Sequence, residues 1–157
     1  MIRKLRPADL ETVLTLWREG NLQAHPFIPP EYWLSHESEV RTQLPQADVF
    51  VWEENGEILG FLGLWEEYIA GVFVRCDTRS RGIGAALMDF VKARHRRLTL
   101  RVYRRNTRAL AFYRREQFSV QNMQCDPETG ELEYEMVWTA DKEFLPQDSP
   151  IEFDRKI

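Results

Sequence analysis

Cysteine is scarce: Cys76 and Cys125 are the two thiols in 157 residues. They form no Cys-x-x-Cys pair, which excludes a disulfide-stapled scaffold and a cysteine-based zinc module. Long apolar runs are missing as well. The longest stretch free of charge and strong polarity, Ile58 to Trp65, has eight residues, where a membrane span needs about 20. Met1 is followed by Ile2, Arg3 and Lys4 and then by mixed sequence, so no secretory leader is expected. Repeats, low-complexity blocks and Gly/Ser linkers are absent, and no His/Asp/Glu group has metal-ligand spacing, so no metal is expected. What these absences leave is a cytoplasmic protein of 18.7 kDa. It reads as one domain over residues 1–140, followed by an irregular tail over 141–157 that contains Pro146 and Pro150.

Hydrophobic residues make up 43% and charged residues 29%, enough to build a core and too apolar for a disordered chain. The net charge of −4 conceals an asymmetry. From Arg75 to Arg115 there are 13 Lys and Arg against two acids, Asp77 and Asp89, while the remainder holds 8 basic and 23 acidic residues. A basic middle in an acidic protein suits a polyanion met at one face. Nucleic acid or a phosphate-rich cofactor would satisfy it, and a solvated helix face rich in arginine is the plain alternative.

Along the chain, a strand over Ile2–Arg6 leads to Pro7, well placed in a first helical turn. Leu10, Val13, Leu14 and Trp17 then form an amphipathic stripe, with Gly20-Asn21 as the expected stop. The prolines of His25–Pro30 exclude helix there, and a second helix is expected over Glu31–Leu44. Asp48–Glu53 and Glu57–Trp65 flank Asn55-Gly56, a strong hairpin signal, and Ile69–Arg75 continues the meander. Ile83, Ala86, Leu87, Phe90 and Val91 trace a helix that starts at Gly82. Leu98–Tyr103 alternates as a strand, and Asn106 can cap a helix whose inner face holds Ala109, Leu110 and Tyr113 or Phe112. Phe118–Gln124 and Leu132–Trp138 make a last hairpin. The fold class is therefore α+β, a three-layer arrangement: a mixed, mostly antiparallel sheet with helices on both faces. The strand–helix–strand crossover supplies a parallel central pair.

The most informative segment is Val72–Arg75, then Cys76 to Gly84, then the helix. Gly82 and Gly84 at a helix start leave room for backbone N–H groups to meet phosphate oxygens, and the helix dipole favours the same anion. Arg79 and Arg81 add charge beside it. A dinucleotide fingerprint would need a third glycine where Leu87 stands, and a Walker loop would need Gly-Lys-Ser/Thr; both are absent. Arg79-x-x-Gly82-x-Gly84 between strand and helix resembles the acetyl-CoA loop of the GCN5-related N-acetyltransferase (GNAT) superfamily. So does the later run Asn106-x-x-Ala109-x-x-Phe112-Tyr113 with Phe118 on the next strand. His25 to Ile28, Tyr32-Trp33 and Val51 to Glu54 further resemble a YiaC-like bacterial group of small acetyltransferases.

That resemblance implies an acetyl-CoA-dependent N-acetyltransferase that moves an acetyl group to a primary amine by direct transfer in a ternary complex. It assigns the pyrophosphate to Arg79, Arg81, Gly82, Ile83, Gly84 and Ala85, and the pantetheine arm to the backbone of Phe73, Val74 and Arg75. The N–H of Phe73 is the expected oxyanion donor. Asn106 and Phe112 would lie along the cofactor, and Tyr113 would be the general acid for the leaving thiolate. Holding a lysine-like amine neutral near pH 7.4 costs about 3 pKa units, roughly 4 kcal/mol. Glu66, Glu67 and His25 are the candidates to take its proton or touch the acceptor. The acceptor is an amine on a small molecule or a protein, shaped by residues 21–44, 66–69 and 124–131. No membrane partner is expected, nucleic acid is disfavoured by the pI of about 5.5, and the chain would act as a monomer or a homodimer. The competing reading is a non-catalytic module that binds CoA or nucleic acid through the same basic segment.

Overall fold

A computed structural model describes residues 1–141; nearly all of the expected tail lies outside the described residues. Seven strands form one sheet in the order β1-β2-β3-β4-β5-β7-β6. They are β1 (Ile2–Lys4), β2 (Asp48–Glu54), β3 (Glu57–Trp65), β4 (Tyr68–Val74), β5 (Arg97–Tyr103), β6 (Ser119–Cys125) and β7 (Leu132–Thr139). Helices α1 (Leu10–Ala24), α2 (Pro30–Gln43), α3 (Ile83–Lys92) and α4 (Thr107–Arg115) complete it. All neighbouring strands are antiparallel except β4 and β5, the pair that the crossover through α3 makes parallel.

Two cores lie on opposite faces of the sheet. On one, Leu87, Met88 and Val91 of α3 and Leu110 of α4 meet Leu62, Leu64, Leu98, Leu100 and Met136. On the other, Val13, Leu14 and Trp17 of α1 and Trp33 and Val40 of α2 meet Val49, Val51 and Phe61. Strand β3 is buried on both faces from Ile58 to Leu64, which explains its unbroken apolar sequence.

One expected boundary is corrected. Helix α1 runs through Gly20-Asn21 to Ala24. A Cβ at Gly20 would sit 2.8 Å from the Phe73 ring, so this glycine gives room for close helix–sheet packing rather than a stop. The buried Asn21 amide donates to the Trp17 carbonyl (3.0 Å) and stays within the helix.

The site depends on an irregularity in β4. Register against β3 changes between Gly63 and Leu64, where Gly71 and Ile69 are the successive partners and Ala70 is the extra residue. Such a bulge switches which backbone groups face each neighbour. Before it, the Glu67 carbonyl accepts from Thr99 of β5 (3.0 Å). After it, the Arg75 N–H turns back to Leu59 of β3 (2.8 Å). Strands β4 and β5 pair only at Tyr68–Thr99 and Ile69–Leu100, then diverge and leave a cleft.

Candidate active site

The cleft opens into a cavity of about 1000 Å³ that reaches from the loop before α3 to the β6–β7 turn. Eleven expected residues line it: His25, Phe73, Val74, Arg79, Gly82, Ile83, Gly84, Ala85, Asn106, Phe112 and Tyr113. They come from both halves of the chain, and the fold brings them together.

The loop end is made of backbone. Gly82 caps α3 with a left-handed φ of +79° and no side-chain cap. The first intrahelical bond runs from Ala86 to the Gly82 carbonyl. The N–H groups of Ile83, Gly84 and Ala85 therefore have no helical acceptor and point out of the N-terminus, where an anion is favoured. A Cβ at Gly82 would meet open space, so its glycine is required by φ; at Gly84 a Cβ would stand 3.4 Å from the Phe112 ring. Arg79 donates to the Gln23 side chain (2.9 Å) at the cavity wall. Arg108 and Arg115 of α4 add charge along it; they sit outside the glycine loop and carry no motif of their own.

Four expected residues lie elsewhere. Arg75 is tied to Asp77 (2.6 Å) and Glu57 (3.4 Å), and Arg81 to Glu54 (2.7 Å). Glu66 is exposed in the β3–β4 turn with φ +55°, while Glu67 pairs with Arg97 (2.6 Å). None of the four lines the cavity, so neither glutamate is placed to take a proton from an acceptor there. The basic middle is likewise dispersed. Arg94 packs on the Phe90 ring, Lys92 pairs with Glu116 and Arg105 with Glu131.

The Phe73 N–H does not face the cleft. Backbone groups alternate sides along an antiparallel ladder, and Arg75 faces β3. Phe73, two residues earlier in the same register, faces β3 as well. The N–H groups of Val72 and Val74 are the ones that face the cleft. The sequence could not show this, because a strand's phase on the backbone depends on its bulge.

His25 and Asn106 meet at the heart of the cavity. The Asn21 carbonyl can only accept, so His25 Nδ1–H donates to it (3.1 Å). Its Nε2 then accepts from the Asn106 side-chain amide (3.3 Å), whose Oδ1 caps α4 at Ala109. Burial pushes the imidazole down to about 4. His25 is thus neutral at physiological pH, with its lone pair occupied, and is a poor proton acceptor for an ammonium. Tyr113 is buried at the cavity wall, and burial, with Tyr68 adding, raises its phenol above the ordinary value. It remains a proton donor throughout the neutral range.

Opposite the loop, the wall is aromatic and acidic. Trp33 stacks on His25 (5.0 Å), and Tyr103 meets the same ring edge-on (5.2 Å). Tyr103 donates to Asp126 (2.6 Å) and Tyr32 to Glu128 (2.8 Å). Tyr103, Asp126 and Glu128 were not singled out by the sequence, although residues 21–44 and 124–131 were expected to shape the acceptor end. Among the described residues no cluster of three or more His, Cys, Asp or Glu could hold a metal, and no helix is long and apolar enough to cross a membrane.

Residues 11–118 match the acetyltransferase (GNAT) family. The chain belongs to that family. It is 38% identical over 140 residues to the peptidyl-lysine N-acetyltransferase YiaC of Escherichia coli, spanning 88% of this chain and 96% of YiaC. It is 31% identical over 120 residues to the peptidyl-lysine N-acetyltransferase YjaB of Salmonella typhimurium, 76% of this chain and 83% of that one. The solution structure of apo YjaB from Escherichia coli superposes with a TM-score of 0.78 at 26% identity, over 87% of this chain and 95% of YjaB. The GNAT chain described here is therefore an acetyl-CoA-dependent N-acetyltransferase that acts on an amine. The α3 N-terminus, the left-handed Gly82 and the diverging strands suit the pyrophosphate and pantetheine of that co-substrate.

Proposed function

We propose that this GNAT enzyme acetylates lysine side chains of proteins by direct transfer from acetyl-CoA, with both substrates in the cavity at once. One observation carries the reading. A single cavity joins a backbone anion cradle to an aromatic, acidic wall, and passes Tyr113 and the open β4 backbone between them. The names of YiaC and YjaB support a peptidyl-lysine acceptor.

In this reading Arg79 and the N–H groups of residues 83–85 hold the pyrophosphate. Val72 and Val74 hold the pantetheine as an added strand, and one of their N–H groups polarises the thioester carbonyl. Phe112 packs along the arm. The neutral amine attacks the carbonyl carbon, the C–S bond breaks as Tyr113 hands its proton to the departing sulfur, and the proton shed by the acetylated nitrogen returns through solvent to restore the phenol. The CoA thiolate is a base comparable with an ordinary phenolate, and burial, which raises the Tyr113 phenol, makes the transfer uphill. His25 orients Asn106 and the α4 cap rather than serving as the base.

Thiol release from acetyl-CoA tests the proposal across lysine peptides, N-terminal peptides, amino acids and polyamines, with products read by mass spectrometry. Acetylation on lysine Nζ, ahead of the other acceptors in kcat/KM, is the expected result. Preference for an N-terminal or small-molecule amine would overturn the lysine reading.

A further inference from the structure

We infer that Asp126, held by Tyr103, forms with Glu128 and Trp33 a subsite that selects a positively charged acceptor; this rests on the lysine reading above. Asp126 is 7% exposed, yet its side-chain donors are neutral: the Tyr103 hydroxyl (2.6 Å) and the Glu128 N–H (2.9 Å). The neighbouring acids are placed differently. Glu131 has Arg105 at 3.0 Å, and Glu128, which is exposed, has His36 at 3.6 Å. A buried carboxylate is costly unless a cation joins it, and Asp126 lines the cavity through which the acceptor must come.

A second observation points the same way. Trp33, 6% exposed and part of the same wall, has its indole N–H buried without an acceptor. Tyr32, Trp33 and Tyr103 surround this end with ring faces and edges, surfaces that hold ammonium groups by cation–π attraction. An ammonium beside Asp126, with aromatic rings around it, is the pattern of a lysine side chain. Glu128, bonded to Tyr32 of α2, ties the β6–β7 turn across the mouth and extends the negative field outward.

The subsite binds the ammonium, and the amine loses its proton to solvent before attack. Pairing with Asp126 makes that loss harder, which fixes the sign of the test. Asp126→Asn should raise KM for a lysine peptide about tenfold or more, leave KM for acetyl-CoA unchanged, and not lower kcat. The acidic limb of its kcat–pH profile should move to lower pH, because the bound amine is no longer held charged. In the wild-type enzyme, KM for the peptide should rise with ionic strength, a readout that needs no variant. A norleucine peptide should compete at least tenfold less well than the lysine peptide. An unchanged peptide KM overturns the inference, as does a kcat fallen 10²-fold with KM kept, which would make Asp126 the base. If lysine peptides prove to be poor substrates, the same measurements on the preferred amine separate the two ideas. A cationic small amine with the same Asp126 and salt dependence would sink only the lysine reading; a neutral or anionic acceptor would sink the subsite.

Discussion

The two ends of the cavity are built by different means. At the cofactor end one contiguous stretch, Arg79 to Ala85, supplies a left-handed glycine and three free N–H groups. At the acceptor end His25, Trp33, Tyr103, Asp126 and Glu128 come from four separate parts of the chain and act through their side chains. A backbone cradle constrains few identities at fixed spacing and serves one ligand, so it recurs as a motif. A side-chain wall depends on how distant segments approach, and this is where an acetyltransferase fold changes its substrate.

The sharpest way to break this division is at Tyr113, which stands between the two ends. Tyr113→Phe keeps the ring and removes the proton. We expect kcat to fall by about 10² to 10⁴, with KM for both substrates little changed. Because burial raises this phenol, the wild-type profile should show no alkaline limb from Tyr113 below about pH 10, its unperturbed pKa. Steady-state kinetics within about threefold of wild type would return Tyr113 to a packing role.

Next in size is the cradle. Gly82→Glu places a β-carbon in a left-handed conformation and a carboxylate where an anion belongs. About 100-fold in KM for acetyl-CoA is expected, from charge-assisted hydrogen bonds worth roughly 1.5–3 kcal/mol each. Acceptor KM measured at saturating acetyl-CoA should hold. A Cβ at Gly82 meets nothing, so Gly82→Ala should show only the backbone strain of about 1–2 kcal/mol. Equal losses in the two variants would refute the charge argument.

The sequence disclosed the parts whose physics is local. Asn55-Gly56 marked the hairpin, the apolar stripe marked α3, Asn106 marked the cap of α4, and Gly82 marked the start of α3, because each depends on neighbours a few residues away. Failures came where a distant element decides. Gly20 stays helical because the Phe73 ring packs against it, and Phe73 turns to β3 because Ala70 is bulged. Glu67 is removed from the site by Arg97, thirty residues on. Tyr103 looked like a strand end until the β6–β7 turn brought Asp126 to it. None of these carries a spacing that could have been read in advance.

At the acceptor end, His25 offers a smaller effect with a definite sign. Its pKa falls from 6.5 unfolded to about 4 folded, so below pH 6.5 the unfolded chain binds more protons. The stability it contributes is complete above pH 6.5 and is lost as pH falls towards 4. Between pH 7.5 and 5 this amounts to about 2 kcal/mol. Urea unfolding of wild type and His25→Gln at both values should show that extra loss in wild type alone. Parallel losses would mean that His25 is solvated rather than packed between Trp33 and Tyr103.

The smallest expected effect lies at the joint between the two ends, where the Phe73 ring stacks on Phe61 (4.9 Å) beneath α1. A Cβ added at Gly71 would fall 2.4 Å from that ring, and one at Gly20 would fall 2.8 Å from it. The ring is therefore held between two glycines, one on its own strand and one on the helix that ends at His25. Gly71→Ala must displace it. The cost should be about 1–2 kcal/mol, at the low end for overpacking, because a ring edge can tilt where backbone could not. Thermal or urea unfolding would measure this, and a double-mutant cycle would locate it. On a Phe73→Leu background the shorter side chain leaves room, so Gly71→Ala should cost at least 0.5 kcal/mol less, the threshold of a real coupling. Additive losses would show that Gly71 is required for the path of the bulged strand itself. The cleft would then owe its opening to β4 alone, and not to the ring that α1 presses against it.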